Sequence, residues 1–144
     1  ILSVKSLCKE FARTKLIPYI KPGVIENIRE NKKKGFRIVI ASASYELYIK
    51  YISDFLKADI FFGTRIVTEK KKLVPRIEGN NCKGNEKIDR VLEKINIGEI
   101  DVRNSIGYSD SYADLPFLKI VGKIYKVTKR KWKIKRTLTA GKQL

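Results

Sequence analysis

Apolar positions recur along this chain in two periods, about 3.6 and about 2, that trade places at short intervals. Leu2, Leu7, Phe11, Ala12 and Leu16 approximate one helical face over residues 2–16. Pro18 and Pro22-Gly23 interrupt it. A proline suits a first helical turn, so a second helix is predicted from Pro22 to about Asn31, with Val24, Ile25 and Ile28 turned inward. Lysines and Gly35 end it. Residues 36–41 form a short, β-branched, nearly continuous apolar run, as expected of a parallel strand covered on both faces. Ser42-Ala43-Ser44 closes that strand, with Ser44 the predicted N-cap of a helix from Tyr45 to about Leu56. Residues 59–62 read as a further strand. Residues 64–68 and 73–77 then flank a lysine-rich turn and read as a hairpin. A Gly/Asn loop leads into a helix over about 85–95, with Ile88, Val91, Leu92 and Ile95 on one face. A strand over 103–108, a short helix over 111–118 and a strand within 120–127 complete the pattern. Helices alternating with strands at this spacing define an α/β class.

Composition narrows the chemistry. The 144 residues suit one domain, and 43% apolar content can fill a core. No apolar run reaches the roughly 18 residues of a membrane span, and no secretory signal is visible at the start. Cys8 and Cys82 are far apart with no CxxC spacing, which reads as two reduced thiols in a cytoplasmic protein. No His is present, which removes Ser-His-Asp and Cys-His catalysis and most zinc sites. No Met is present either, so the expectation is a processed form or part of a longer reading frame. Net charge is +17, and ten Lys or Arg follow Asp114 with no acid among them. Eight of these fall between Lys123 and Arg136, interleaved with Tyr125 and Trp132. Such a stretch suits phosphate backbones and base stacking. The plainer reading is a lysine-rich coding bias, with Trp132 packed onto the body, because charge alone specifies no partner.

The richest segment is Gly107-Tyr108-Ser109-Asp110-Ser111-Tyr112-Ala113-Asp114. Two acids four apart at a strand-to-helix junction stand at the mouth of an α/β sheet, where open sheets hold ligands. A solvated turn favours the same residue types, so the company upstream matters. An apolar strand ends in Ser42. A loop carries Asn81-Cys82-Lys83-Gly84-Asn85-Glu86-Lys87 into a helix. A strand then ends in Gly-Tyr-Ser-Asp-Ser-Tyr-Ala-Asp-Leu-Pro. In this order, over about residues 20–135, the chain resembles the haloacid dehalogenase superfamily, most closely its phosphoserine-phosphatase-like branch.

The resemblance implies a Rossmann-like three-layer domain with a mainly parallel sheet, the hairpin at 64–77 standing off it. It implies that Ser42 and Ala43 contact the transferring phosphoryl group. Lys87 would neutralise its charge, and Asp110 and Asp114 would surround Mg²⁺. It also implies an Asp-x-Asp whose first carboxylate attacks phosphorus, and no Asp-x-Asp occurs in this sequence. The expected organisation is therefore a remnant of a helical cap or linker at 1–20, a core lacking its first strand at 21–136, and a flexible basic tail at 137–144. The implied activity is Mg²⁺-dependent hydrolysis of a small phosphomonoester, phosphoserine by association, through an aspartyl-phosphate. Alone, this chain would be an inactive fragment: a truncated gene product or a piece of a larger enzyme. The competing class is a non-catalytic basic module that binds nucleic acid or another polyanion through Lys123–Arg136.

Overall fold

The computed structural model describes residues 3–69, 72–127 and, for its backbone, 134–139. Trp132 and the bases around it, residues 128–133, lie outside the described residues, as does the end of the tail from 140. The chain divides into two compact units, Ile1–Cys82 and Lys83–Leu144. No helix among the described residues is long and apolar enough to cross a membrane.

In the first unit, α1 (Val4–Phe11) starts at Ser3, whose hydroxyl accepts the Ser6 N–H. The single helix predicted over 2–16 is shorter than that. After Phe11 the backbone loosens into a π-helical turn, Ala12–Leu16, and then tightens into a 3₁₀ turn, Ile17–Tyr19. Pro18 lies in this last turn and has no N–H to continue an α-helical ladder. Then come α2 (Pro22–Lys33), β1 (Val39–Tyr45), α3 (Glu46–Leu56), β2 (Ile60–Glu69) and β3 (Lys72–Glu78). The sheet order is β1-β2-β3, with β1 parallel to β2 and β3 antiparallel. β2 is one continuous strand. Its first half is the strand expected at 59–62, and its second half is the first arm of the expected hairpin. Phe62 is fully buried at its centre, with Ile49 and Ser53 of α3 also buried. Removing a phenylalanine from water stabilises a fold by roughly 1.5–3 kcal/mol.

β1 begins three residues later than its apolar run, because Phe36 still bonds back to the α2 terminus through the Asn31 carbonyl. Ile38 is then pinned by Asp59, whose Oδ2 accepts the Ile38 N–H at 2.7 Å while Oδ1 accepts Lys32 Nζ at 3.0 Å. The backbone hydrogen bond from Ile38, helped by Lys32, holds the Asp59 carboxyl below the ordinary aspartate value. A depressed folded-state pKa adds stability that is complete above about pH 4 and is lost as pH falls through the folded value. Asp59→Asn is therefore expected to cost stability at pH 6 and progressively less towards pH 3, as read by urea unfolding at both. A penalty constant with pH would contradict this assignment.

The second unit contains α4 (Glu86–Leu92), a 3₁₀ turn at Ile97–Glu99, β4 (Ile106–Ser109), a 3₁₀ turn at Tyr112–Asp114 and α5 (Leu115–Leu118). β5 (Lys123–Val127) and β6 (Ile134–Thr139) follow. The sheet order is β4-β5-β6, again one parallel pair and one antiparallel pair. Val91, Ile95, Leu118 and Ile124 are its buried apolar residues. β6 was not expected. It places residues 137–139, assigned above to the tail, in a ladder with β5. Among the described residues β1 has one ladder partner, β2, and β4 has one, β5. Each parallel pair thus ends in an edge strand, an arrangement rare for parallel strands.

Candidate active site

Ser42 and Ala43 lie in the first unit where β1 leaves its ladder. From Ala41 to Tyr45 the chain takes four steps while β2 takes two, from Phe62 to Thr64, so Ser42–Ser44 bulge outward. Ser44, expected above to cap α3, does not do so. Tyr45 holds the N-cap position with no side-chain cap bond, and the Ser44 N–H donates instead to Ser42 Oγ at 3.1 Å. Among the described residues the Ser42 hydroxyl proton has no acceptor, so it can donate to a ligand.

Two features hold the bulge. A Cβ on Gly63 would stand 2.6 Å from the Ser44 carbonyl oxygen and 2.9 Å from the Glu46 nitrogen, so only glycine lets β2 pass this close. Thr64 Oγ1 donates to the Ala43 carbonyl at 2.7 Å and accepts the Cys82 N–H at 3.1 Å. Sequence reading passed over Thr64, whose almost complete burial marks it as a structural tie. Cys82 is buried beside it, in keeping with a structural thiol.

In the second unit the acid loop is built on β4. A Cβ on Gly107 would collide with Leu118 Cδ2 and stand 2.9 Å from Val121 Cγ2, so α5 lies directly against β4. The loop between them is tied internally. Ser109 Oγ accepts the Ser111 N–H at 3.0 Å, and Ser111 Oγ accepts the Ala113 N–H at 3.2 Å. Ser109 Oγ also donates to Asp114 Oδ2 at 2.5 Å, and Asp114 Oδ1 accepts from Lys87 Nζ. The Lys87 side chain is 8% exposed and that of Asp114 16%. A buried ammonium reaches this depth only with a carboxylate beside it. Lys87 arrives from the first turn of α4, where Arg90 is buried against Glu86 at 2.9 Å.

Asp110 is different. It is exposed, and among the described residues no hydrogen bond or ion pair engages its carboxylate. Tyr112 stands 72% exposed between the two acids. Lys126 Nζ donates to its hydroxyl at 2.8 Å and lies 4.0 Å from its ring centroid. That hydrogen bond, with the charge behind it, holds the Tyr112 hydroxyl below the ordinary tyrosine value. Sequence reading missed Lys126, because a lysine in a lysine-rich tract gives no signal until the ladder sets β5 opposite Ser109.

The structure thus joins Lys87, Asp114 and Ser109 in one network, with exposed Asp110 next in chain to Ser109. Of the two acids expected around a metal, Asp110 offers free hard oxygens suited to Mg²⁺. Asp114 has one oxygen on Lys87 and one on Ser109, so it ties the loop to α4 while each oxygen keeps a further lone pair. Among the described residues no group of three His, Cys, Asp or Glu is placed to hold a metal. Asp110 therefore fits a cation whose remaining ligands are water, phosphate oxygens or donors outside these residues.

Residues 3–119 match the family of haloacid dehalogenase-like hydrolases. Protein CicA of Caulobacter vibrioides is 27% identical over 121 residues, 83% of this chain and 53% of that protein. The phosphoserine phosphatase of Methanocaldococcus jannaschii is 30% identical over 111 residues, 75% of this chain and 52% of that enzyme. A solved structure of a protein with unknown function from Bordetella pertussis Tohama I aligns with a TM-score of 0.73 at 20% identity, over 83% of this chain and 55% of that one. At that identity the likeness shows the fold. The chain spans about half the length of the curated relatives it matches. By its matched span, its α/β fold and its relatives, the chain belongs to the haloacid dehalogenase-like hydrolases and is phosphoserine-phosphatase-like among them.

Proposed function

We propose that this chain is the phosphate- and metal-binding part of a Mg²⁺-dependent phosphomonoester hydrolase. The observation that carries the reading is the Lys87–Asp114–Ser109 network supporting exposed Asp110, within the span that matches the hydrolase family. In this reading Ser42 donates its free proton to a phosphoryl oxygen, with Ala43 shaping the same bulge. Lys87 supplies a compact positive charge beside the phosphate, and Asp114 fixes where that charge sits. Asp110 holds Mg²⁺, which when bound offsets phosphoryl charge. The nucleophilic carboxylate comes from an Asp-x-Asp outside these 144 residues, since none occurs within them. Its attack on phosphorus releases the alcohol and leaves an aspartyl-phosphate that water then hydrolyses. The substrate is a small phosphorylated metabolite, with phosphoserine a candidate because a relative acts under that name. Alone, the chain binds phosphate weakly and does not turn over. Its two cysteines, neither of them in a disulfide, fit a cytoplasmic setting.

The test is a phosphate-release assay, with Mg²⁺ and phosphoserine or a generic aryl phosphate, on the chain as it stands and on the chain extended by its native upstream coding sequence. Metal-dependent release is expected only from the extended form. Release absent from both forms would refute the reading.

A second reading has one observation in its favour. The β5–β6 ladder brings the backbone positions of Lys123, Lys126, Lys135 and Arg136 onto one two-stranded ribbon. A polyanion-binding module built on this ribbon would bind single-stranded DNA without metal, with affinity falling steeply as salt rises. The phosphatase reading expects fluorescence anisotropy to show no such binding at physiological ionic strength.

A further inference from the structure

We propose that Lys126 and Tyr112 form a recognition subsite for a carboxylate carried by the substrate in addition to its phosphoryl group. The proposal rests on the phosphatase reading and names which part of this chain reads the rest of the substrate. Lys87, the buried amine of the site, has its charge committed to Asp114. Lys126 has not. Its Nζ is held by a neutral hydroxyl and a ring face, and among the described residues no carboxylate pairs with it. An ammonium has three donors, and one is spent on Tyr112, so the others remain for an anion.

Its position is fixed by the fold. Lys126 is directly opposite Ser109 in the parallel β4–β5 ladder, and paired residues share a face of the sheet. It therefore stands beside the residue that precedes Asp110. Tyr112, on the loop between Asp110 and Asp114, gains little burial at 72% exposure, yet Lys126 holds it in place. An exposed ring held under a cation offers a ligand one charged point and one flat wall. Lys126 also lies beyond residues 3–119, the span that matches the family. Tyr112 lies within that span.

The experiment compares two ligands that differ in the group in question, 3-phosphoglycerate and glycerol 3-phosphate. Their dissociation constants for the 144-residue chain are measured by calorimetry in Mg²⁺. The unsubstituted chain should prefer 3-phosphoglycerate by about tenfold, the scale of one charge-assisted hydrogen bond. Lys126→Gln should abolish that preference and leave glycerol 3-phosphate affinity unchanged, Lys126→Arg should keep it, and Tyr112→Phe should reduce it. Both side chains are at the surface, and circular dichroism of each variant checks that the fold persists. If Lys126→Gln weakens both ligands equally, the amine serves the phosphoryl group and the proposal is overturned. A preference that persists in Lys126→Gln also overturns it. If the unsubstituted chain binds neither ligand, the phosphatase reading fails and takes this proposal with it.

Discussion

Asp110→Asn is expected to lower phosphomonoester turnover by about 10²-fold or more in the extended, active form while leaving the fold nearly as stable as before. The reasoning separates the two readouts. Removing the negative charge weakens the hold on a divalent ion whose charge stabilisation is worth several kcal/mol in a phosphoryl-transfer transition state. Yet Asp110 is exposed and engages no partner among the described residues, so its replacement leaves no orphaned group. Surface changes of that kind move stability by less than about 0.5 kcal/mol. Steady-state kinetics and urea unfolding on the same variant check both halves. Full activity in Asp110→Asn would remove this residue from the site.

Lys87→Met should behave in the opposite way, costing about 3 kcal/mol of stability as well as phosphate binding. It leaves Asp114 nearly buried with one oxygen unpartnered, and stripping one member from a buried ion pair is far more damaging than never having had the pair. Asp114→Asn is the matched change: it removes the charge facing Lys87 and leaves an amide of similar shape. The double variant Lys87→Met/Asp114→Asn should therefore be less destabilised than the sum of the singles, with a coupling on the order of 1–3 kcal/mol. Additive losses in urea unfolding would mean that the two side chains do not depend on each other.

These two variants show what the sequence could and could not reveal. The acids at 110 and 114 were legible as a pair because a strand-to-helix junction rich in Gly and Ser admits few other readings beside an ordered set of neighbours. Their division of labour was not legible. It depends on Lys87 arriving from another helix and on Ser109 turning back to Asp114, and neither contact is local in sequence. The bulge at Ser42–Ser44 was hidden for a related reason. A serine after an apolar strand reads as a cap, whereas the close passage of Gly63 and the Thr64 tie decide that it stays in the strand. Apolar periodicity located α2, α3, α4 and the strands near the right residues. It failed where a strand was written in polar residues, as in β6, whose alternation is buried in a basic run.

The central claim is that the Lys87–Asp114–Ser109 network and Asp110 answer to one phosphate and one metal. Titrating the isotopically labelled 144-residue chain with inorganic phosphate in the presence of Mg²⁺, and following backbone amides by NMR, tests it directly. The account expects the amides of Lys87, Ser109 and Asp110 to shift together along one binding curve, and Asp110→Asn to weaken that curve at all three positions. Separate curves at the three positions, or a response confined to the lysines of the C-terminal ribbon, would contradict it.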